Sequence, residues 1–193
     1  QGVSGTGKST LGVALSNTLK LPFVDGDDLH PPSNVAKMSR GEALTDEDRK
    51  PWLARIRQTA EEGMPVEGRG GTISPLLSEV QHRLGVIIAC SALKKTYRDV
   101  LRGLTRPSLS PCEDSSEPYA VTIQTWFVFL KGSKDMLVDR MHKRKGHFMK
   151  AQMLESQLDT LESPEDEPGV ITVPIECSTE EQVRFVLSKL FDP

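Results

Sequence analysis

Apolar residues along this chain follow two alternating patterns, one typical of helices and one typical of strands. Leu11, Leu15 and Leu19 lie four residues apart on one helical face and predict a helix over residues 8–19. Residues 86–90 (VIIAC) are instead a continuous apolar run, typical of a strand buried on both faces of a parallel sheet. The same patterns predict further strands over residues 21–25, 125–131 and 170–175, and further helices over residues 34–40, 94–102 and 151–162 and beginning near residues 45, 74, 133 and 178.

Polar residues and glycines mark several of the predicted helix ends. Thr45 stands before three acidic residues, which favours a capped helix start. Ser133 is a second predicted cap, and the sequence STEE from Ser178 forms a capping box. Gly41 and Gly103 are expected to end the helices that precede them.

Strands that alternate with helices indicate an α/β fold with a mostly parallel sheet, in a single domain covering residues 1–193. Functional groups in such folds lie at the carboxyl ends of the strands. Asp25, Asp27, Ser91 and Lys131 occupy such ends. Two segments, about residues 61–79 and 104–122, are rich in residues that break regular structure and are predicted to be variable loops.

Composition narrows the choice of partners. Lys and Arg number 24 against 27 Asp and Glu, so the net charge of −3 implies no general attraction to nucleic acid or to an anionic membrane. Three cysteines without a C-x-x-C pattern indicate reduced thiols in the cytoplasm rather than a disulfide framework or a metal site. No apolar run approaches the roughly 18 residues of a membrane span. The basic residues cluster after Arg140, between two predicted helices, and we expect a lid at about residues 140–153.

The most specific motif stands at the start of the chain. Residues 2–9 (GVSGTGKS) match the phosphate-binding pattern G-x-x-x-x-G-K-[ST]. Glycines let successive backbone N–H groups surround a phosphate chain, Lys8 supplies a positive charge, and the Ser9 hydroxyl can ligate Mg²⁺. The helix that begins near Lys8 adds the positive end of its dipole. The residues predicted to bind a nucleoside triphosphate are Gly2, Ser4, Gly5, Thr6, Gly7, Lys8, Ser9 and Thr10.

A P-loop normally follows a buried central strand. Only Gln1 precedes the motif here, so we expect a chain truncated at its N-terminus that has lost its first strand and keeps four strands of five.

Four further segments carry a resemblance to a known family. Residues 25–31 (DGDDLHP), 44–53 (LTDEDRKPWL), 90–99 (CSALKKTYRD) and 144–154 (RKGHFMKAQML), together with the P-loop, closely resemble the gluconate kinase family. The resemblance implies a three-layer α/β/α P-loop kinase fold of the nucleoside-monophosphate-kinase type, similar to shikimate kinase. It also implies transfer of the ATP γ-phosphate to the 6-hydroxyl of D-gluconate with Mg²⁺, which feeds 6-phosphogluconate to the pentose phosphate pathway, and a homodimer.

Two acids at one strand end suit phosphoryl transfer, which needs charge neutralisation and a group that accepts the alcohol proton. Likeness to the D-x-D of shikimate kinase implies that Asp25 holds Mg²⁺ through water and that Asp27 orients and deprotonates the acceptor hydroxyl. With Ser9 of the P-loop, Asp25 completes the predicted metal ligands. The alternative for either acid is a helix cap. Lys8, Asp27 and Arg144 are the predicted catalytic residues.

A polyhydroxy acid needs a cation for its carboxylate and hydrogen-bonding groups for its hydroxyls. The planar fork of arginine suits a carboxylate, so the first candidates are Arg49 and Arg98. Further candidates, ranked after these two, are His30, Lys37, Lys94 and Gln152. The alternatives are a solvated ion pair for Arg49, an exposed helix face for Lys94 and Arg98, and mere support of a turn for His30.

The resemblance also assigns roles in the lid. Arg140 is expected to stack on adenine and Arg144 to reach the phosphates. A cationic helix end favoured by the helix dipole is the alternative for Arg144.

Three other functions remain open at this point. A kinase of the shikimate type shares the P-loop and lid but does not need residues 45–53 and 90–99. A GTPase-like switch fits poorly, because the guanine-reading N-K-x-D motif is absent from the sequence. The third possibility is a truncated, inactive homologue.

Overall fold

The computed structural model describes residues 1–62, 85–105, 123–143 and 148–191, and the side chains of all of these except residues 148–153. Several predictions concern residues outside this set: the helix start near Ser74, most of both variable loops, Cys112 and Arg144. The side chain of Gln152 also lies outside it.

Helices and short parallel strands alternate along the described residues. The helices are α1 (Lys8–Leu19), α2 (Pro32–Ser39), α3 (Asp46–Glu62), α4 (Lys95–Arg102), α5 (Lys134–Lys143), α6 (Phe148–Thr160) and α7 (Thr179–Phe191). The strands are β1 (Phe23–Asp25), β2 (Ile87–Ala89), β3 (Phe127–Lys131) and β4 (Val170–Pro174), and a 3₁₀ turn (Gly26–Leu29) follows β1. This order confirms the α/β class predicted from the hydrophobic pattern.

The strands pair in parallel, as predicted, but in two separate sheets. β1 pairs with β2 in the register Val24 to Ile88, and β3 pairs with β4 in the register Phe129 to Thr172. Between β2 and β3 lies a slot of about 800 Å³. Its apolar lining comes from both sheets and the flanking helices and includes Leu11, Ile56, Ile88, Val128 and Val186.

Gln1 lies at one end of this slot and pairs with β3 as a parallel neighbour. Its amino group donates to the Val128 carbonyl, and its carbonyl accepts from the Leu130 amide at 3.0 Å. The P-loop therefore begins in line with the space between the two sheets.

Local sequence signals explain the helix boundaries. Thr45 and Asp48 cap α3 reciprocally, and Ser178 and Glu181 form the predicted capping box at α7. The Ser133 hydroxyl accepts from the third residue of α5, as expected of a cap. α2 begins at Pro32, two residues before its predicted start, because proline suits the first helical turn. α6 begins at Phe148, three residues before the predicted start.

Two hydrophobic clusters support the loops that carry the functional residues. One cluster lies under the P-loop and joins α1, β3, β4, α5 and α7 through residues such as Leu15, Leu137 and Val186. The other joins α3 and α4 through Trp52, Ile56 and Tyr97. In the ranges described above, no helix is both long and apolar enough to cross a lipid bilayer.

Candidate active site

The P-loop conformation depends on glycine at two positions. Gly7 caps α1 with φ = 93°, a left-handed conformation that side chains disfavour. Gly2 has φ = 147°, and a Cβ there would lie 3.0 Å from the Leu130 carbonyl oxygen. Between them, the loop leads from Gln1, which pairs with β3, directly into the N-terminus of the 12-residue helix α1. The N-terminus is the end of a helix that favours anions.

Hydrogen bonds and packing fix the loop from several sides. The buried Thr6 hydroxyl donates to the Val3 carbonyl at 2.9 Å, and the Lys8 ammonium donates to the same oxygen at 3.0 Å. The Ser4 amide donates to the Gln157 side chain of α6 at 2.6 Å. A Cβ on Gly5 would meet the Met141 sulfur of α5 at 3.3 Å. Both helices that flank the predicted lid therefore contact the P-loop.

Ser9 and Asp25 bring a hydroxyl and a carboxylate together at the start of α1. The Ser9 hydroxyl donates to Asp25 Oδ2 at 2.7 Å. Both groups are hard oxygen ligands of the kind that Mg²⁺ prefers, and Mg²⁺ normally keeps several waters and binds substrate phosphates besides one or two protein ligands. The described residues contain no group of three or more His, Cys, Asp or Glu that could hold a metal by themselves. The pair fits a phosphate-bound Mg²⁺ rather than a metal held by protein alone.

Asp27 stands two residues further on, in the 3₁₀ turn. Its backbone amide donates to Asp25 Oδ1 at 3.1 Å, so Asp25 also caps this turn, which is the alternative role predicted for it. The Asp27 carboxyl is partly withdrawn from water although the residue as a whole is exposed. This burial raises the pKa of Asp27, the negative charges of Asp25 and Asp28 raise it further, and Lys8 opposes them. A carboxylate with a raised pKa is a stronger base, as proton abstraction from an alcohol requires.

His30 ends the same turn and is held against α3. Its ring stacks on the Trp52 indole with centroids 4.4 Å apart and planes 9° apart. Trp52 is itself fixed, since its Nε1 donates to the Gly26 carbonyl at 2.7 Å. Burial and then the positive charge of Arg49 lower the pKa of His30 to about 4. The imidazole is therefore neutral near pH 7 and can bind hydroxyl groups but adds no charge.

Two cations gather around Tyr97 beside this turn. The Arg49 guanidinium carbon and the Lys94 Nζ each lie 5.7 Å from the centre of the tyrosine ring. Lys94 donates to both carboxylate oxygens of Asp46, at 2.9 and 2.7 Å, and the Tyr97 hydroxyl donates to the same carboxylate. Burial and this bond to Asp46 raise the pKa of Tyr97, so the phenol stays protonated. These four residues form the cationic group: Arg49, Lys94, Tyr97 and Asp46. It carries two positive charges against one negative charge, which suits an anionic ligand.

Lys37 forms an ion pair with Asp48 of α3. Its ammonium lies 2.7 Å from Asp48 Oδ2, and this contact, followed by the Thr45 hydrogen bonds, lowers the pKa of Asp48. The pair ties α2 to the start of α3, directly before Arg49. Lys37 is thus near the predicted acceptor residues, with its charge balanced.

Arg98 occupies a different place from the one predicted. Its side chain is 0% exposed, so it is neither an exposed helix face nor an open cationic site. Its guanidinium contacts Glu167 at 2.5 Å and donates to the carbonyls of Ala92, Leu93 and Glu162. These partners take up its hydrogen-bond donors and join α4 to the loop before β4. The spacing of residues 90–99 could not reveal this, because Glu167 is 69 residues away.

The lid residues divide between described and undescribed parts of the chain. Arg140 lies in the last turn of α5, half-buried, and its Nη2 donates to the Ile175 carbonyl at 2.6 Å. It lies next to Met141, which packs on Gly5. Arg144 and the Gln152 side chain fall outside the described residues, so their predicted roles are left as predictions.

Several residues of this site carry no signal of their role in the sequence. Asp46 belongs to an acidic helix start and Tyr97 to a segment that resembles the family, and neither pattern indicates a contact with a ligand. Three other residues act through contacts within the site. Asn34 contacts His30, Trp52 contacts Gly26, and Gln157 contacts Ser4, at separations of 4, 26 and 153 positions along the chain. Trp52 lies in a segment that resembles the family and Asn34 at the start of a predicted helix, and neither position indicates these contacts.

Comparisons with known proteins agree with this geometry. The family model described as shikimate kinase matches residues 4–67. A gluconokinase of Gluconobacter oxydans (strain 621H) is 40% identical over 189 residues, covering 98% of this chain and 85% of that protein. A probable gluconokinase of Mus musculus is 38% identical over 190 residues, covering 98% and 94%. The crystal structure of a gluconokinase from Sinorhizobium meliloti 1021 superposes with a TM-score of 0.72 at 38% identity, covering 98% of this chain and 88% of that one. Because these similarities extend over nearly the whole chain and far beyond the P-loop, the chain belongs to the gluconokinase family.

Proposed function

We propose that this protein transfers the γ-phosphoryl group of ATP to the 6-hydroxyl of D-gluconate, giving 6-phospho-D-gluconate for the pentose phosphate pathway. The observation that carries the proposal is the position of Asp27. Its amide is bonded to Asp25, which contacts Ser9 at the nucleotide end. The turn that contains Asp27 ends at His30, on which the positive charge of Arg49 acts. An acceptor held by the cationic group would present a hydroxyl to the carboxyl group with the raised pKa.

The nucleotide half of the site would use the P-loop. Backbone amides from Ser4 to Thr10 and the α1 dipole would bind the phosphates, and Lys8 would neutralise charge that develops during transfer. Arg140, next to the P-loop contact of α5, would stack on the adenine, and Arg144 would reach the phosphates.

Ser9 and Asp25 would hold Mg²⁺, Asp25 through a water molecule. Bound there, the ion neutralises phosphate charge and orients the transferred group. The chain's own part is to keep the hydroxyl and the carboxylate 2.7 Å apart at the N-terminus of α1.

The acceptor half would bind the carboxylate of gluconate through the Arg49 guanidinium. Lys94 adds a second positive charge, while His30, Lys37 and Gln152 would bind hydroxyl groups. Arg98 is left out of this set, because Glu167 and three carbonyls already take up its donors. We assign it instead to holding α4 in place.

The proposal includes the complete three-layer fold, a homodimer and a cytoplasmic location. An extended apolar segment in the slot between β2 and β3 would join the two sheets into one parallel sheet. The pairing of Gln1 with β3 supports this order. The homodimer rests on the family resemblance, and the location rests on reduced cysteines without a disulfide pattern.

A kinase for a different small acid is the second candidate, favoured by the match of residues 4–67 to shikimate kinase. The test is ADP release with Mg-ATP and gluconate, shikimate, gluconolactone or a nucleoside monophosphate in turn, with Lys8→Met as the control for contaminating kinases. We expect turnover with gluconate, and ³¹P NMR of the product should show a phosphate on a primary carbon. Turnover with shikimate alone would favour the second candidate, and no turnover with any acceptor would contradict both.

A further inference from the structure

One ring nitrogen of His30 contacts a buried side-chain amide. The Asn34 side chain, 2% exposed on α2, places Nδ2 3.3 Å from His30 Nδ1. The same Nδ2 donates to the Asp48 carbonyl at 2.7 Å. An amide nitrogen carries two hydrogens, so it can serve both partners.

The Asp48 contact determines which way the Asn34 amide is oriented. A backbone carbonyl only accepts hydrogen bonds, so the atom that faces it must be the NH₂ group and not the amide oxygen. The group that faces His30 is therefore also a donor. A donor at Nδ1 requires that Nδ1 accept, which leaves the single proton of the neutral ring on Nε2.

The surroundings of the ring keep it neutral and in place. The Trp52 indole covers one face, and Arg49 from α3 directs a positive charge toward the imidazole. Burial and this charge lower the pKa of His30 to about 4. Among the described residues none accepts a hydrogen bond from Nε2, and that atom is not among the buried polar atoms without a partner.

We propose that Asn34 is a positioning residue that holds His30 as the Nε2–H tautomer, so that His30 donates a hydrogen bond from Nε2 to a hydroxyl of the acceptor. This inference rests on the proposed function for the identity of the acceptor, but the tautomer itself does not. A fixed donor beside the cationic group distinguishes a polyhydroxy acid from an acid that lacks a hydroxyl at that position.

The tautomer is measured directly by long-range ¹H–¹⁵N NMR of the protein without substrate. The spectrum of His30→Gln identifies the His30 signals among the four histidines of the chain. We expect a protonated Nε2 and an unprotonated Nδ1 throughout pH 6–8. A protonated Nδ1, or titration to imidazolium in this range, would overturn the proposal whatever the enzyme activity.

A pair of variants tests the consequence for binding. Glutamine places its amide nitrogen near the position of Nε2, and asparagine places it near Nδ1. We expect His30→Gln to keep the KM for gluconate within about threefold and His30→Asn to raise it about tenfold, the effect of one lost hydrogen bond, with the KM for ATP unchanged in both. Equal effects of the two variants, or a rise in the ATP KM alone, would overturn the proposal.

Asn34→Asp reverses the contact, because a carboxylate accepts where the amide donates. We expect the His30 signals of this variant to shift toward a protonated Nδ1 and the gluconate KM to rise, and an unchanged tautomer would contradict the role of Asn34. If the wild-type spectrum lacks the protonated Nε2 and unprotonated Nδ1, this inference alone is contradicted. Absence of gluconate phosphorylation by the wild type would remove the proposed function instead, so the two failures are distinguishable.

Discussion

The Asp25 carboxylate binds both the Asp27 amide and the Ser9 hydroxyl of α1. Its Oδ1 accepts from the Asp27 amide at 3.1 Å, and its Oδ2 accepts from the Ser9 hydroxyl at 2.7 Å. One carboxylate therefore connects the nucleotide end of the site to the residue proposed to act on the acceptor. Its negative charge also contributes to the raised pKa of Asp27, after burial.

Replacing Lys8 tests the nucleotide end. Lys8→Met removes the P-loop charge while keeping a long side chain, so kcat should fall by roughly two or more orders of magnitude through lost transition-state stabilisation. Thermal unfolding of the variant should stay close to that of the wild type. Near-normal turnover by the folded variant would contradict the P-loop assignment.

Replacing Arg49 tests the acceptor end. An ammonium group cannot reproduce the planar fork of a guanidinium, so Arg49→Lys should raise the KM for gluconate and leave the KM for ATP nearly unchanged. It should also narrow the preference for gluconate over uncharged gluconolactone. Arg55→Lys, the same change at an exposed position further along the same helix, serves as the matched control. A rise in the ATP KM alone would mean that Arg49 belongs to the other half of the site.

Arg98 should affect stability rather than substrate binding. Arg98→Met leaves Glu167 facing only Arg102, and breaking such a buried pair should lower the free energy of unfolding by about 3 kcal/mol. The Lys95–Asp99 pair, whose lysine is 59% exposed, provides the control, since Lys95→Met should cost less than about 0.5 kcal/mol. The measurement is urea unfolding of both variants. An unchanged unfolding free energy with a raised gluconate KM would instead restore Arg98 to the acceptor site.

His30 should make stability depend on pH. Its pKa is lowered from 6.5 in the unfolded chain to about 4 in the fold, so between these values the unfolded chain binds more protons. The free energy of unfolding should therefore fall as the pH drops from 6.5 toward 4, and His30→Gln should remove this part of the slope. Urea unfolding of wild type and variant at pH 4.5, 5.5 and 7 measures the difference. Parallel pH curves would show that the imidazole is not buried in its neutral form.

The sequence predicted those features that depend on short spacing. The P-loop, the capping residues Thr45 and Ser178 and the apolar strand runs are local patterns, and each appears in the structure where it was expected. The P-loop motif and the likeness to the D-x-D of shikimate kinase implied a shared role for Ser9 and Asp25, and the structure brings their side chains within 2.7 Å.

Contacts between distant segments could not be predicted in this way. Nothing near Arg98 in the sequence indicates that Glu167 pairs with it, and an arginine on a helix looks the same whether it faces water or a buried acid. One sheet was predicted, whereas the structure pairs β1 with β2 and β3 with β4 in two sheets. The hydrophobic pattern indicates which segments are strands but not which strands pair.

The most direct test of the account is steady-state kinetics of Asp27→Asn with each substrate varied, beside Asp28→Asn as a control on the same turn. Asparagine keeps the shape of Asp27 but cannot accept the hydroxyl proton, and general-base contributions are typically about 10²–10⁴-fold. We expect kcat of Asp27→Asn to fall by that factor with the KM for ATP nearly unchanged. Asp28→Asn removes only the smallest of the charges that raise the pKa of Asp27 and should lower kcat far less. Wild-type kcat in Asp27→Asn, or a defect confined to the ATP KM, would contradict the account.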